Sequence, residues 1–240
     1  MENINTNKLI SNILAQPTSP ELSIILPCRN EEQAIIHCLN QILDTLEKSQ
    51  INAEVIISDS SSDSTPSKVK QFAQQNPNKL KIKFVKHDKE GYGNAYLEGF
   101  KHVTTNYIFM ADCDGTYDFS EIPNFLQELR KDNDFVIGNR FAYTLEKDVM
   151  PFSHKYIGNP ILSGILRIFY RSTVRDSHCG MRAIKTSSLE KLNLQTAGME
   201  FASEMVIKSL KNNLKIKQLP ITYKKRMGKS KLNTFSDGWR

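Results

Sequence analysis

The sequence predicts an α/β fold: a mostly parallel sheet with helices on both faces. Two observations carry this. Short apolar runs alternate with amphipathic helical segments from Leu22 to Gly138. Each run is followed by a polar, often acidic, turn. Sheets of this kind bind ligands at the carboxyl ends of their strands, so those turns are where function is sought.

The elements follow in order. Residues 1–20 close on Gln16-Pro17-Thr18-Ser19-Pro20 and read as a loose lead-in. Leu22–Leu26 is a short apolar run ending at Pro27, a buried strand. Asn30 and Gln33 stand at capping-box spacing, and Ile35, Cys38, Leu39, Ile42, Leu43 and Leu46 recur at helical spacing after them. Glu54–Ile57 is the next strand, and Thr65-Pro66 starts a helix with proline at its favoured first position. Leu80, Ile82 and Phe84 alternate with Lys81 and Lys83, as in a strand with one wet face. Gly91 and Gly93 precede a helix near Asn94–His102. Tyr107–Ala111 is a strand, Ser120 caps a helix to about Lys131, and Phe135–Ile137 is a strand.

Composition bounds the rest. The chain has 240 residues, 39% hydrophobic and 24% charged, enough to bury a core and too apolar for disorder. That length fits one large domain, or one domain with an appendage. No apolar run approaches the ~18–20 residues of a membrane-crossing helix. The longest, Ile161–Tyr170, contains Arg167. The first ten residues, MENINTNKLI, lack the basic and apolar regions of a signal peptide. Cys28, Cys38, Cys113 and Cys179 have spacings that suit neither a zinc site nor a disulfide framework, so a reducing cytosol is the simplest compartment. The net charge is +6, but Lys215–Arg240 alone carries +7, which leaves −1 for the rest. A basic end on a near-neutral body points to a local anionic partner: nucleic acid, a membrane surface or a phosphate-bearing substrate. A solvated lysine-rich face is the plainer reading of the same run.

Four motifs could carry chemistry. Asp112 and Asp114 follow a buried strand, and carboxylates at that spacing point the same way. Two like charges held together call for a cation, and Mg2+ or Mn2+ accepts carboxylate and phosphate oxygens. In a turn, such a pair caps more often than it binds metal; its place at a strand end favours metal. Asp59 among Ser58, Ser60 and Ser61 suits a nucleoside's hydroxyls or base N–H, or alternatively a simple Asx turn. Gly91-Tyr92-Gly93 permits close backbone approach to a ligand but is not a dinucleotide fingerprint. Arg226-Met227-Gly228-Lys229-Ser230-Lys231 suits phosphate capture. Glu200 and Glu204 share one face of a partly buried helix. His178 and Cys179 lack supporting ligand spacing and read as core or hydrogen-bonded residues.

Taken in order, several motifs resemble glycosyltransferase family 2. They are Pro27-x-x-Asn30-Glu31, Asp59 with Asp63, Gly91-x-Gly93-x-Ala95, Asp112-x-Asp114-Gly115 and Gly138-x-Arg140, then Asp176-x-x-x-Gly180-x-Arg182 and Arg226-x-x-Gly228-x-Ser230-Lys231-Leu232. Within that family the chain is similar to the polyprenyl/dolichyl-phosphate hexosyltransferase branch, over about residues 20–240. The stretch Gly198–Met205 and the ending Asp237-Gly238-Trp239-Arg240 look like that branch too.

The resemblance implies a GT-A fold, with 21–138 as the nucleotide-sugar half and 139–240 as the acceptor half ending in a basic, membrane-facing tail. It implies transfer of a hexose from a nucleotide sugar to a polyprenyl phosphate, with inversion, at the cytoplasmic membrane face. It assigns Pro27, Arg29, Glu31, Asp59, Gly93 and Asp112 to the nucleotide sugar. Asp112 and Asp114 go to Mg2+ or Mn2+, and Asp114, Arg140, Asp176 and Arg182 to catalysis. Arg140, Lys155, Arg226, Lys229 and Ser230 go to the acceptor phosphate. UDP-glucose is slightly favoured over GDP-mannose, and homo-oligomerisation is open. The chain departs from relatives at Ser58-Asp59, where an acidic pair is usual, and at Thr116, where many carry Gln. Relatives often continue into membrane helices beyond the position of Arg240.

Two rival readings fit the residues less well. A sugar nucleotidyltransferase typically has a Gly-rich, basic-ended loop after its first strand, where this chain has Pro27-Cys28-Arg29-Asn30-Glu31. A nucleic-acid-binding module would use the basic tail, but only Tyr223, Phe235 and Trp239 interleave with its charges, and no reader motif is present. The expectation is a protein with no nucleic-acid partner.

Overall fold

The computed structural model describes residues 19–143, 164 and 172–228. Its seven strands are β1 (Leu22–Cys28), β2 (Ala53–Asp59), β3 (Lys81–Lys86), β4 (Tyr107–Met110), β5 (Phe135–Asn139), β6 (Arg182–Lys185) and β7 (Ile216–Pro220). They form one sheet in the order β3-β2-β1-β4-β6-β5-β7. The pairs β1/β2, β2/β3, β1/β4 and β5/β7 are parallel, and only β6 runs against its neighbours β4 and β5. The helices are α1 (Ile35–Ser49), α2 (Thr65–Gln75), α3 (Tyr92–Phe100), α4 (Ile122–Arg130), α5 (Thr186–Glu190) and α6 (Phe201–Lys211). α1 packs with α2 and α4, whereas α3 packs with α6 over β1 and β2.

β1 and β2 are central and read as near-continuous apolar runs, because a parallel strand covered by helices has no wet face. Leu22–Leu26 and Val55–Ile57 are buried with the helical stripe Ile35, Cys38, Leu39, Ile42, Leu43 and Leu46 in one core. The stripe is the one its spacing predicts. β3 is an edge strand. Lys81 and Lys83 of this edge reach the buried Glu54 at 3.3 and 3.0 Å, which keeps the strand charged and discourages a further pairing.

Several local expectations are corrected. Asn30 does not cap α1; it sits in the left-handed region at φ 56°, and α1 begins after Ala34 without a side-chain cap. Ser120 is not a cap either. Asp118 accepts its N–H at 3.1 Å and opens a short 3-10 turn, Phe119–Glu121, from which α4 continues. Phe84 is 41% exposed, because at the sheet edge no helix covers its face. β6 and β7 were not anticipated. They are short, and their pairing with β4 and β5 comes from chain segments far away.

The six strands of common direction bring four turns to one edge of the sheet: those after β1, β2, β3 and β4. The segment after β7 returns to the same edge. Tyr223 forms an antiparallel bridge with Tyr117, and Lys224 N–H donates to Thr116 O at 2.9 Å.

Candidate active site

The turns after β1 and β2 are locked together. Asn30 Oδ1 accepts from Ser62 N–H at 2.7 Å and from Asp63 N–H at 3.2 Å. In return, Asn30 N–H donates to Ser61 Oγ at 2.7 Å and Glu31 N–H to Thr65 Oγ1 at 2.9 Å. The left-handed backbone at Asn30 makes this possible, and asparagine tolerates that conformation. The same lock carries Glu31 to the edge of the sheet. Arg29 points outward and pairs with Glu90 at 2.7 Å, both side chains largely exposed.

Asp59 ends β2 fully buried. Lys86, its register partner on β3, donates to Oδ2 at 2.9 Å. Oδ1 is buried and makes no hydrogen bond. A buried carboxylate oxygen without a partner is costly and points to a ligand donor.

Asp112 and Asp114 follow β4 on either side of the buried Cys113. Asp114 is 6% exposed, and its Oδ1 accepts from Thr116 N–H at 3.0 Å and Thr116 Oγ1 at 2.6 Å. Thus Thr116 fixes the carboxylate through Oδ1 and leaves Oδ2 free of it. Burial and the Asp114 charge push Asp112 up to about 7, against the pull of Arg226, the Tyr92 hydroxyl and Arg140. A cation between the two carboxylates would remove that conflict. Gly180 lies against Asp112: a Cβ there would stand 2.7 Å from Oδ2. Among the described residues no cluster of three His, Cys, Asp or Glu ligands occurs. Two carboxylates are a donor set that suits an ion completing its shell with water and substrate phosphates, as Mg2+ and Mn2+ do.

All four cysteines are free and buried. Cys28 Sγ and Cys113 Sγ are 2.9 Å apart, and Cys113 also reaches Pro27 O at 3.2 Å, so the thiols fasten the end of β1 to the loop of the carboxylates.

The C-terminal segment crosses this loop. Met227 N–H donates to Asp114 O at 2.8 Å. Arg226 Nη2 meets Glu31 Oε1 at 2.7 Å, and its Nε lies 3.5 Å from Asp114 Oδ2. Glu31, Asp114 and Arg226 are therefore brought into one cluster.

Other assigned residues are held by partners of their own. Arg140 is buried, and Asp176 holds it at two points, 2.8 Å each, with Tyr223 5.2 Å from the guanidinium across its ring. Asp176 is fully buried and serves as Arg140's counter-ion. Arg182 is 2% exposed and gives its donors to the carbonyls of Ser177, Cys179 and Ala202. It fixes the loop before β6. Gly93 has a packing role. Its missing side chain admits the protein's own backbone, since a Cβ would stand 2.1 Å from Thr196 O. Gly93 and Asn94 N–H groups donate to Gly198 O and Ala197 O, capping α3 from another loop. Lys155, Lys229 and Ser230 lie outside the described residues.

Glu200 stands at the N-terminus of α6 and Glu204 in its first turn, and both bind that same loop. Glu200 accepts Gly198 N–H at 3.0 Å. Glu204 accepts from Gln195 and Thr196 N–H and pairs with Lys208 at 2.7 Å. His178 is hydrogen-bonded on both ring nitrogens, to Ser177 and Ser203, which agrees with its reading as a non-ligand. Residues given no role from sequence are Lys86 and Tyr92. Lys86 alone had a signal, as the last residue of a strand ending at the ligand edge.

Residues 23–192 match the model of glycosyl transferase family 2. Two curated relatives come from Haloferax volcanii. The low-salt glycan biosynthesis hexosyltransferase Agl6 is 40% identical over 223 residues, covering 92% of this chain and 52% of the relative. A dolichyl-phosphate hexose transferase is 28% identical over 225 residues, covering 94% and 92%. This chain thus spans about half the length of Agl6. Among solved structures, glucosyl-3-phosphoglycerate synthase from Mycobacterium tuberculosis, in complex with Mn2+, UDP and glucosyl-3-phosphoglycerate, superposes with a TM-score of 0.64. That match has 16% identity over 96% of this chain and 78% of the other. The GT-A architecture is shared.

Proposed function

The chain belongs to glycosyl transferase family 2, and we propose that it moves a hexose from a nucleotide sugar to a polyprenyl phosphate, with inversion, at the cytoplasmic face of a membrane. The observation that carries this reading is the cluster after β1, β4 and β7: Arg226 meets Glu31 at 2.7 Å and Asp114 at 3.5 Å. A guanidinium beside two carboxylates, with Asp112 adjoining, suits a diphosphate bridged by a divalent ion.

Residues 21–138 would hold the donor. Glu31 and Asp59 serve the nucleoside, and Asp112 and Asp114 hold Mg2+ or Mn2+. The bound ion supplies charge neutralisation for the departing diphosphate. Asp59 supports a uracil base. With Oδ2 taken by Lys86, one oxygen remains to accept one N–H, which matches uracil better than the paired donors of guanine. UDP-glucose is therefore favoured, and GDP-mannose comes next.

Residues 139–240 would hold the acceptor. A lipid phosphate is already anionic at neutral pH, so it needs alignment more than a general base. Its oxygen forms the bond to the anomeric carbon as the bond to the diphosphate breaks. Arg226 would meet the phosphate, with Lys155, Lys229 and Ser230 as further candidates. Arg140 and Arg182 act by fixing the loops on which the site is built. The basic C-terminal end favours an anionic bilayer, by about 1 kcal/mol per basic residue near the surface. Among the described residues no helix is long and apolar enough to cross a membrane. The relative's name, dolichyl-phosphate hexose transferase, supports the acceptor class.

The test is a panel of radiolabelled nucleotide sugars offered with a short polyprenyl phosphate and Mg2+ or Mn2+. Label should pass to the lipid phase from a UDP-hexose and be lost in Asp114→Ala. No transfer from any donor, or full activity in Asp114→Ala, refutes the reading.

A further inference from the structure

We infer that Arg226 is an internal cation that competes with the divalent ion for Asp114, and so makes metal binding conditional on the nucleotide's diphosphate. This rests on the proposed function and adds to it a coupling between two binding events.

The strap that carries Arg226 is fixed to the loop that carries Asp114. Lys224 N–H donates to Thr116 O at 2.9 Å and Met227 N–H to Asp114 O at 2.8 Å, on either side of Arg226. Met227 fills the space over Gly115, where a Cβ would stand 2.8 Å from Met227 Cγ. Arg226 therefore stays beside Asp114 whatever its side chain does.

The side chain faces the one oxygen a metal would need. Thr116 occupies Asp114 Oδ1 through its N–H and hydroxyl. That leaves Oδ2, and Arg226 Nε lies 3.5 Å from it. Glu31 anchors the other end of the guanidinium at 2.7 Å. The Arg226 side chain is 25% exposed, so solvent screens the contact only in part. A divalent ion at Oδ2 gains a like-charged neighbour, and that repulsion weakens binding of the ion by itself.

A diphosphate reverses the sign. Nε is buried and makes no hydrogen bond, so the guanidinium keeps a donor for an incoming anion. Phosphate oxygens would take that donor and also complete the shell of the ion. Both cations then share one anion, and repulsion gives way to common attraction. Linkage requires the effect to be reciprocal: the ion tightens the nucleotide by the factor with which the nucleotide tightens the ion.

The experiment is a Mn2+ titration followed by electron paramagnetic resonance of the free ion, with and without UDP. Wild type, Arg226→Gln, Arg226→Ala and Arg226→Lys are compared, with circular dichroism to confirm folding. In wild type, UDP should tighten Mn2+ by a factor on the order of 5–150, the usual range for coupled sites. The two neutral variants should bind Mn2+ alone several-fold tighter than wild type and gain correspondingly less from UDP. Arg226→Lys, which keeps the charge, should stay close to wild type. Neutral variants that bind Mn2+ alone no tighter than wild type overturn the inference, and so does a wild type whose Mn2+ affinity ignores UDP, both leaving the transfer reaction to its own assay. A wild type that binds no Mn2+ under either condition overturns the inference and the metal-dependent reading together.

Discussion

Arg140 and Asp176 form a two-point ion pair inside the protein, Nε to Oδ2 and Nη2 to Oδ1 at 2.8 Å each, and the Arg140 N–H donates to the same carboxylate at 3.0 Å. The pair joins the end of β5 to the loop before β6. It also gives Arg140, a residue the motif comparison assigns to phosphate, a counter-ion within the protein. Asp176→Asn keeps the shape and removes the counter-charge. Leaving one partner of a buried pair unmatched typically costs about 3–5 kcal/mol. Urea unfolding followed by circular dichroism should show a loss of that size, and Arg140→Met with Asp176→Leu together should lose less than either alone.

Asp59 makes a second case. Asp59→Asn keeps the bond from Lys86 but places an amide where a nucleobase donor is expected. A charge-assisted hydrogen bond is worth roughly 1.5–3 kcal/mol, so UDP affinity should fall about 10–150-fold. Calorimetric titration with UDP and GDP checks this, and wild type should prefer UDP.

Gly180 and Gly93 separate a site defect from a packing defect. In Gly180→Ala the new Cβ meets Asp112 Oδ2 at 2.7 Å. The carboxylate must turn, and Mn2+ affinity in the presence of UDP should drop at least several-fold. In Gly93→Ala the Cβ meets Thr196 O at 2.1 Å and Phe201 Cβ at 2.9 Å, both held by packed backbone. Overpacking of that kind costs about 1–3 kcal/mol, read as a lower urea midpoint.

Glu204 sets an acid limit on stability. Burial opposes its charge, but the bonds from Lys208, Thr196 and Gln195 prevail and hold the carboxyl down at about 2, against an ordinary 4.5. A folded-state value below the unfolded one stabilises the fold above pH 4.5, and that contribution is lost as pH falls toward 2. Thermal melts in steps between those limits should show Glu204→Gln with a flatter acid decline than wild type, and with a lower melting temperature at neutral pH.

Much of the fold is legible in the sequence because it rests on local periodicity. The apolar runs of β1 and β2 and the stripe Ile35–Leu46 of α1 need only their own spacing to be read. The four acids at the sheet edge are legible for a related reason. A parallel strand order sends every following turn to one side, so Glu31, Asp59, Asp112 and Asp114 converge once the alternation is seen. Asn30 escaped the local reading. Its side chain is satisfied by the turn after β2, 32 residues away, and not by the helix it precedes.

The sequence by itself determined the α/β class, the acidic edge and the family. Which charge answers which was decided only by the tertiary structure. Arg140, Arg182 and Arg226 are alike in sequence, yet one pairs with a buried aspartate, one with three backbone carbonyls, and one with Glu31 across a separation of 195 residues. The physical reason is burial. A guanidinium removed from water must find acceptors, and those acceptors are set by how distant segments pack together, which no local pattern encodes.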